Sequence, residues 1–573
     1  MVARAALWAA FAGVVGVTAC SRSPGGVDNR EGPADLVLRG GTVYTVDAAR
    51  SWARTVAVRK GRIVYVGMES PPADLIGPAT EVIDLRGAML LPGFQDAHVH
   101  PVISGVEIFD VRLYGAATAQ AVVDTVAAYA AAHPDLPWVR GAGWELPLFP
   151  NGNPSKTLLD RAVPDRPAFI YAADGHSAWV NSRALALAGI TRDTPDPPNG
   201  RIERDPRTGE ASGTLREDAI ALVADSVPEH TAAEYSAGLL SAVQQANAFG
   251  ITSMFAADER LTDLETYARA DRAGTLTVRV VAAMDIGGDT VSASLLPRLR
   301  EWRTRFASNH VRPSAVKLYA DGAIESGTAA LLKPYLDRHG DAGTPTYTDQ
   351  TLDRMVADLD RDGFQVHVHA IGDRAIRMTL DAFERARHTN GIRDSRHSIA
   401  HLVLIDPADI PRFGQLGVVA NFQPYWTNGD EYITKLTEPA LGPARSRWLY
   451  PIASVVRTGA VVSGGSDWSV SSLNPLDAIE MGVTHLDPDR PRMAPWNPAE
   501  RVDLATMIAM YTINAAYADR LDRETGSIEV GKLADLVVLD RNLFEIPVNE
   551  IHTVKVLRTL LGGVTVYRAG PDR

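Results

Sequence analysis

The chain has 573 residues, 46% hydrophobic and 22% charged, with a formal net charge of -12. It is too long for one small domain, and its composition is that of an ordinary globular protein with room for an enzyme-sized core. The net negative charge, with no run of Lys or Arg, argues against a nucleic-acid partner, whose phosphates demand a basic face.

The N-terminal residues depart from this composition. Arg4 precedes an apolar, alanine- and valine-rich run over residues 5–17, followed by Thr18-Ala19-Cys20 and a polar, Pro/Gly-rich stretch. The run is too short to span a bilayer and reads as a secretory signal over residues 1–19. Val17-Thr18-Ala19-Cys20 resembles the bacterial lipobox, in which the cleaved chain begins at a lipidated cysteine. An ordinary signal peptide with an incidental cysteine is the other reading. Lipidation at Cys20 implies a membrane partner through the lipid anchor, a flexible tether over residues 20–33, and an exported protein on the periplasmic side of the envelope. Ser21 after the cysteine fits the outer-membrane sorting pattern. As the only cysteine, Cys20 also leaves the fold without an internal disulfide and any metal site without thiolates.

Residues 34–92 hold short apolar runs broken by glycines, such as Leu36-Val37-Leu38-Arg39-Gly40-Gly41, which predict antiparallel hairpins. Residues 514–573 repeat this pattern, so the two ends are expected to pair as one small β-sandwich. Between them, residues 93–513 alternate apolar strands with alanine-rich helical stretches, the mark of an α/β fold with a parallel sheet. That length of chain suits a (β/α)8 TIM-like barrel. The stretch over about residues 138–228 is rich in Pro, Gly and Asp, and predicts an insertion large enough to cap a site.

Chemistry-bearing residues fall at predicted strand ends. In Asp96-Ala97-His98-Val99-His100 the two histidines are two apart, so strand geometry turns both imidazoles to one side, where neutral nitrogens can bind Zn, Ni, Fe or Mn. Lys317 sits in a predicted buried strand, where an ammonium is costly. It either pairs with an acid such as Asp321 or reacts with CO2 to give an anionic carbamate. His367 and His369 share one strand face, and either can be a ligand. His401 follows at the next strand, and Asp467 ends an apolar strand among small residues, placed to bind metal and take a proton from bound water.

Taken in order, these stations resemble the amidohydrolase superfamily: His-x-His after strand one, a lysine after strand four, histidines after strands five and six, an aspartate after strand eight. A narrower resemblance, to the YtcJ-like amidohydrolases (amidohydrolase family 3) that include N-substituted formamide deformylase, is carried by Lys317-Leu318-Tyr319-Ala320-Asp321-Gly322-Ala323, His367-Val368-His369-Ala370-Ile371-Gly372-Asp373, Gly465-Ser466-Asp467-Trp468-Ser469-Val470 and Asp174-Gly175-His176-Ser177-Ala178-Trp179-Val180-Asn181-Ser182. The resemblance implies that His98, His100 and Asp467 bind one divalent ion and His369 and His401 a second, zinc being the first expectation, with a carboxylated Lys317 between them. A single ion is the simpler alternative. It further implies that His176 hydrogen-bonds a substrate carbonyl, that Asp321 and Asp373 stand behind the ligands, and that the chain forms a homodimer. Trp144, Asn181 and Trp468 are candidates to line the substrate site, with core burial the other account of the tryptophans. The expected function is hydrolysis of an amide-type C–N bond in a small molecule by metal-activated hydroxide, Asp467 acting as base and then acid. Deamination, lactone hydrolysis or isomerisation at the same centre, or a non-catalytic exported lipoprotein, are the competing readings.

Overall fold

A computed structural model describes residues 32–287, 294–338, 340–488 and 494–570. The expected signal peptide, Cys20 and nearly all of the tether lie outside the described residues. Among the described residues no helix is long and apolar enough to cross a membrane.

The two ends of the chain share one eight-stranded sheet. Its seam is the antiparallel pairing of Met89–Pro92 with Leu536–Leu539, in which Leu90 faces Val538. Leu38, Val56, Leu90, Leu536, Val538 and Leu560 form the centre of its own apolar core. The sheet is pinned to the barrel by Arg279, whose guanidinium donates to both oxygens of Asp535 at 2.7 and 3.1 Å. The C-terminal contribution starts later than residue 514, because helix Ile513–Ala518 packs on the barrel's first strand and the sheet resumes only at Leu536.

Eight parallel strands form the barrel, as the alternating pattern predicts: β1 (Phe94–Val99), β2 (Ile251–Glu259), β3 (Arg279–Met284), β4 (Val311–Tyr319), β5 (Gln365–Ala370), β6 (Ser398–His401), β7 (Val419–Phe422) and β8 (Val462–Gly464). Both faces of these strands are largely buried, the outer one apolar against the helices. Val366 and Val368 of β5 pack outward against the helices, while Gln365, His367 and His369 alternate with them and point inward. Register then sets neighbours: Lys317 pairs with His367, and Tyr319 with His369. Phe255, Val281, Ala283 and Ala315 make an apolar layer with Ala516 and Leu521.

Closure of the barrel occurs at the site itself. The Asp467 N–H donates to His98 O at 2.8 Å, and the His100 N–H to Trp468 O at 3.2 Å, joining the chain after β8 to β1. Gly465 makes this approach possible, since a Cβ there would fall 2.6 Å from the His98 nitrogen.

The insertion between β1 and β2 is larger than the predicted stretch. It carries a six-stranded sheet that begins at Val111–Arg112 and ends at Ala211–Glu217. Helix Ala119–Ala132 belongs to it as well, with Val122 and Val126 in the insertion's core. The alanine-rich helix hid this earlier boundary, because it matches the barrel's own helices.

Candidate metal centre

A cavity of about 1740 Å³ lies at the C-terminal ends of the barrel strands, where such barrels hold their sites, and the insertion forms part of its wall. His98, His100, Lys317, His369, His401 and Asp467 all line it, as does His176 from the insertion. Ligand atoms of His98, His401 and Asp467 lie within 4.8 Å of one another. Asp467 Oδ1 is 3.0 Å from His100 Nε2 and 3.4 Å from His98 Nε2. The tightest set of three thus takes in His401, which the resemblance assigns to the second ion, in place of His100.

Each of the four histidines has one ring nitrogen engaged by a group behind it. His98 Nδ1 meets His367 Nε2 at 2.8 Å, and His367 Nδ1 meets Ser398 Oγ at 2.7 Å. His100 Nδ1 is 2.9 Å from Ala257 O, His369 Nε2 is 3.3 Å from Gly322 O, and His401 Nδ1 is 3.0 Å from Gln423 Oε1. A carbonyl oxygen only accepts, so those nitrogens carry the proton and the opposite ones keep bare lone pairs. That is the tautomer a metal ligand needs.

The electrostatics agree with this assignment. Burial, reinforced by Lys317, holds His98 well below the usual histidine range; burial and His401 do the same for His369. Burial takes His401 down to about 3. For Asp467 burial favours the neutral acid, but His98, His100 and His401 outweigh it and hold the carboxyl well below its usual range. Neutral imidazoles facing one carboxylate are a donor set suited to a divalent ion of borderline softness. His401 and Asp467 both have left-handed backbones, with φ of +76° and +54°, a conformation seldom adopted by residues with a Cβ.

Lys317 reaches the same space, its Nζ 3.4 Å from His98 Nε2. Burial pushes its ammonium down to about 8, against the pull of Asp258, Asp467 and Asp285. No ion pair joins it to Asp321, whose carboxylate accepts from the backbone N–H groups of Ala330, Ile371 and Gly372 at 2.8 to 3.0 Å and lies 3.8 Å from His369 Nε2. Asp373 stands further off, accepting from the Leu332 N–H at the start of a helix. His367 is one layer deeper than His369, packed on Phe255 with ring centroids 4.7 Å apart, and it orients His98. His369 instead faces His401 and His176, with centroids 4.5 and 5.0 Å away.

His176 pairs with Glu217 across 3.0 Å. Burial works against its charge, but Glu217, Asp174 and Asp467 prevail and push the imidazolium up to about 9. Of the proposed lining residues, Trp468 does line the cavity. Trp144 and Asn181 do not. Trp144 is fully buried in the insertion's core with its Nε1 donating to Ile170 O at 3.0 Å, and Asn181 is a fully buried cap that bonds four backbone groups. An aromatic or polar residue in a cap segment reads the same whether it faces the cap's core or the substrate.

Sequence reasoning missed Gln423, Asn421, Asp96 and Glu217. Asp96 Oδ1 accepts from the His98 and Ser466 N–H groups at 3.1 and 3.0 Å, clamping β1 to the Asp467 loop. The signal for Asn421 and Gln423 was present, as polar residues alternating in the apolar strand Val419-Ala420-Asn421-Phe422 and its continuation.

With this geometry described, similarity to known proteins carries weight. A protein 31% identical over 546 residues is LONG AFTER FAR-RED 3 of Arabidopsis thaliana, covering 93% of this chain and 92% of that one. The putative amidohydrolase YtcJ of Bacillus subtilis is 27% identical over 93% of this chain and 99% of its own, and N-substituted formamide deformylase of Arthrobacter pascens 29% over 93% and 98%. Among solved structures, an uncharacterized metal-dependent hydrolase from Pyrococcus horikoshii shares the fold with a TM-score of 0.71 at 22% identity, over 90% of this chain and 99% of that one. The profile of the amidohydrolase family matches residues 81–567. The chain, a hydrolase, belongs to the amidohydrolase family.

Proposed function

We propose that this protein hydrolyses an amide-type C–N bond in a small molecule, using one or two divalent ions, zinc first among them. The observation that carries the reading is the set of four buried or half-buried histidines gathered around an ionised Asp467, each with one ring nitrogen engaged by a neighbouring group. His98, His100, His401 and Asp467 would hold one ion, and His369 with Lys317 would complete a second position. Bound there, a divalent ion supplies a water acidified to a pKa of roughly 7 and positive charge for the substrate carbonyl. Asp467 takes the proton from the attacking water and returns it to the leaving nitrogen, base and then acid. His176, cationic and tied to Glu217 through Nδ1, has Nε2–H to donate to the carbonyl oxygen as negative charge builds there. Lys317, pushed down to about 8, keeps a minor fraction of its amine in the neutral form at neutral pH, and it is that form that adds CO2, losing a proton to become a carbamate.

The deformylase relative, by its name, acts on N-substituted formamides, which makes N-formyl amines the first compounds to try. The test is a panel of N-formyl amines, N-acyl amino acids, lactones and aminated heterocycles, run beside metal analysis of the purified protein. Release of an amine and a carboxylate, lost on chelation and regained with zinc, is the expected result. Ammonia from the heterocycles, or turnover of lactones alone, would replace the reading by one of its competitors. The lipobox-like Val17-Thr18-Ala19-Cys20 supports, independently, export and anchoring through Cys20. Palmitate labelling of wild type but not Cys20→Ala checks that part.

A further inference from the structure

Glu217 ends the insertion strand Ala211–Glu217 and touches two other parts of the molecule. Its Oε2 and Oε1 lie 3.0 and 3.2 Å from His176 Nδ1, and Thr328 Oγ1 donates to Oε1 at 2.6 Å. Thr328 belongs to the chain that follows β4, so one carboxylate joins the insertion's histidine to the barrel. A second tie runs beside it, from the Arg201 guanidinium to Ser326 O at 2.8 Å. Two backbone features serve this placement. Glu217 has φ of +47°, a left-handed conformation that residues with a Cβ avoid unless the surroundings impose it. Gly322 clears the space, since a Cβ there would fall 2.2 Å from both Glu217 Oε1 and Thr328 Oγ1. The same Gly322 gives its carbonyl to His369 Nε2.

We propose that Glu217 is a positioning residue, which by accepting from His176 Nδ1 and Thr328 Oγ1 fixes His176 over the metal centre and makes that placement depend on docking of the insertion against the chain after β4. The inference rests on the role given to His176 above. The physical reason is directional: a hydrogen bond to a developing oxyanion weakens steeply with angle, and His176 comes from a layer outside the barrel, in the turn just ahead of the insertion strand Ser177–Val180, where the backbone places the residue but the ring still needs a partner to aim it. Glu217 supplies the aim. It leaves the ions untouched, because none of its partners is a candidate ligand.

The experiment uses the full-length, zinc-loaded protein and the best N-formyl amine of the panel, with Glu217→Ala, Glu217→Asp, Thr328→Val, His176→Ala and the Glu217→Ala/His176→Ala double variant. Glu217→Ala is expected to lose about 10- to 100-fold in kcat, with KM and bound zinc close to wild type. Glu217→Asp should recover part of the loss, and Thr328→Val should show a smaller one. The decisive readout is the double variant, which should be no slower than His176→Ala alone, because Glu217 acts only through the histidine. Losses that multiply in the double variant would overturn the proposal, as would a Glu217→Ala protein that differs from wild type only in thermal stability. If His176→Ala itself keeps full kcat, the role assigned to His176 fails first and the proposal with it. A crystal structure of Glu217→Ala gives a readout free of activity: the His176 ring turned or disordered supports positioning, and the ring unmoved refutes it.

Discussion

His401 Nδ1 lies 3.0 Å from Gln423 Oε1, and the Gln423 amide nitrogen is fixed in turn on Asn421 Oδ1 at 3.0 Å. Asn421 donates to Ala97 O at 2.9 Å and Ser463 Oγ at 3.1 Å, so the chain of bonds runs from β1 and β8 through β7 to the ligand on β6. With its nitrogen engaged, Gln423 must accept through oxygen, which places the His401 proton on Nδ1 and leaves Nε2 bare. Gln423→Leu is therefore expected to lower zinc affinity by about 10- to 100-fold, measured by competition with a chromophoric chelator. It should also lose about 1–3 kcal/mol of stability in urea, since the His401 N–H and Asn421 Oδ1 are left buried and unpaired.

Asp467→Asn separates binding from proton transfer. The amide keeps the size of the carboxylate, an oxygen that can ligate and the backbone bond to His98 O that closes the barrel. What it cannot do is take a proton. Zinc content by mass spectrometry should stay near that of wild type while kcat falls by about 10²- to 10⁴-fold. Turnover at the wild-type rate would remove Asp467 from the reaction.

Alkaline pH should switch off His176. Its pKa in the folded protein is pushed up to about 9, above the ordinary histidine value, so the imidazolium persists through neutral pH. The pair with Glu217 then contributes its full stability below the unfolded value near 6.5, and that contribution is lost as pH rises through about 9. Over the same upper range Nε2 loses the proton it donates, and kcat should decline. A pH–rate profile checks this, and Glu217→Gln should move the alkaline limb to lower pH, because the attraction that raises the pKa is removed.

Lys317 decides between one ion and two. A carbamate forms from the neutral amine, which burial makes accessible near neutral pH. Added bicarbonate should raise bound zinc by a second equivalent in wild type but not in Lys317→Arg, whose guanidinium stays protonated and does not add CO2. Equal zinc in both proteins, with and without bicarbonate, would point to a single-ion centre.

The barrel and the residues facing the cavity were legible because their signals are local. His98 and His100 are two apart at the end of a strand, Asp467 comes three residues after an apolar one, and each strand-helix alternation is read within a short window. Asp321 apart, which lies 3.8 Å from His369, what stands behind the ligands was not legible, because it depends on register between strands far apart in sequence. His367 is recognisable as the support of His98 only once β5 and β1 face each other across the barrel, through a bond spanning 269 residues. Glu217 reaches Thr328 over 111 residues in the same way. The insertion was misjudged for another reason. Its helices and aromatic residues build cores of their own, and nothing in composition tells an inner face from a substrate-facing one.

Asn181 and Trp468 test that distinction directly. Asn181 Oδ1 accepts from the Ala168 and Ala184 N–H groups at 3.1 and 3.0 Å, while Nδ2 donates to Val163 O and Arg166 O at 3.2 and 2.8 Å. It therefore caps helix Ser182–Leu187 and joins it to the neighbouring strand, well away from the cavity lining. Asn181→Ala strips a cap and strands buried backbone groups, a loss of about 1–3 kcal/mol, yet it removes nothing a substrate touches. Its expected signature is a lower melting temperature with KM unchanged at temperatures where the protein stays folded. Trp468→Ala should raise KM for the best panel substrate, because Trp468 is among the residues that line the cavity, next to Asp467. A raised KM in Asn181→Ala, at a temperature where circular dichroism shows the fold intact, would return Asn181 to the substrate site.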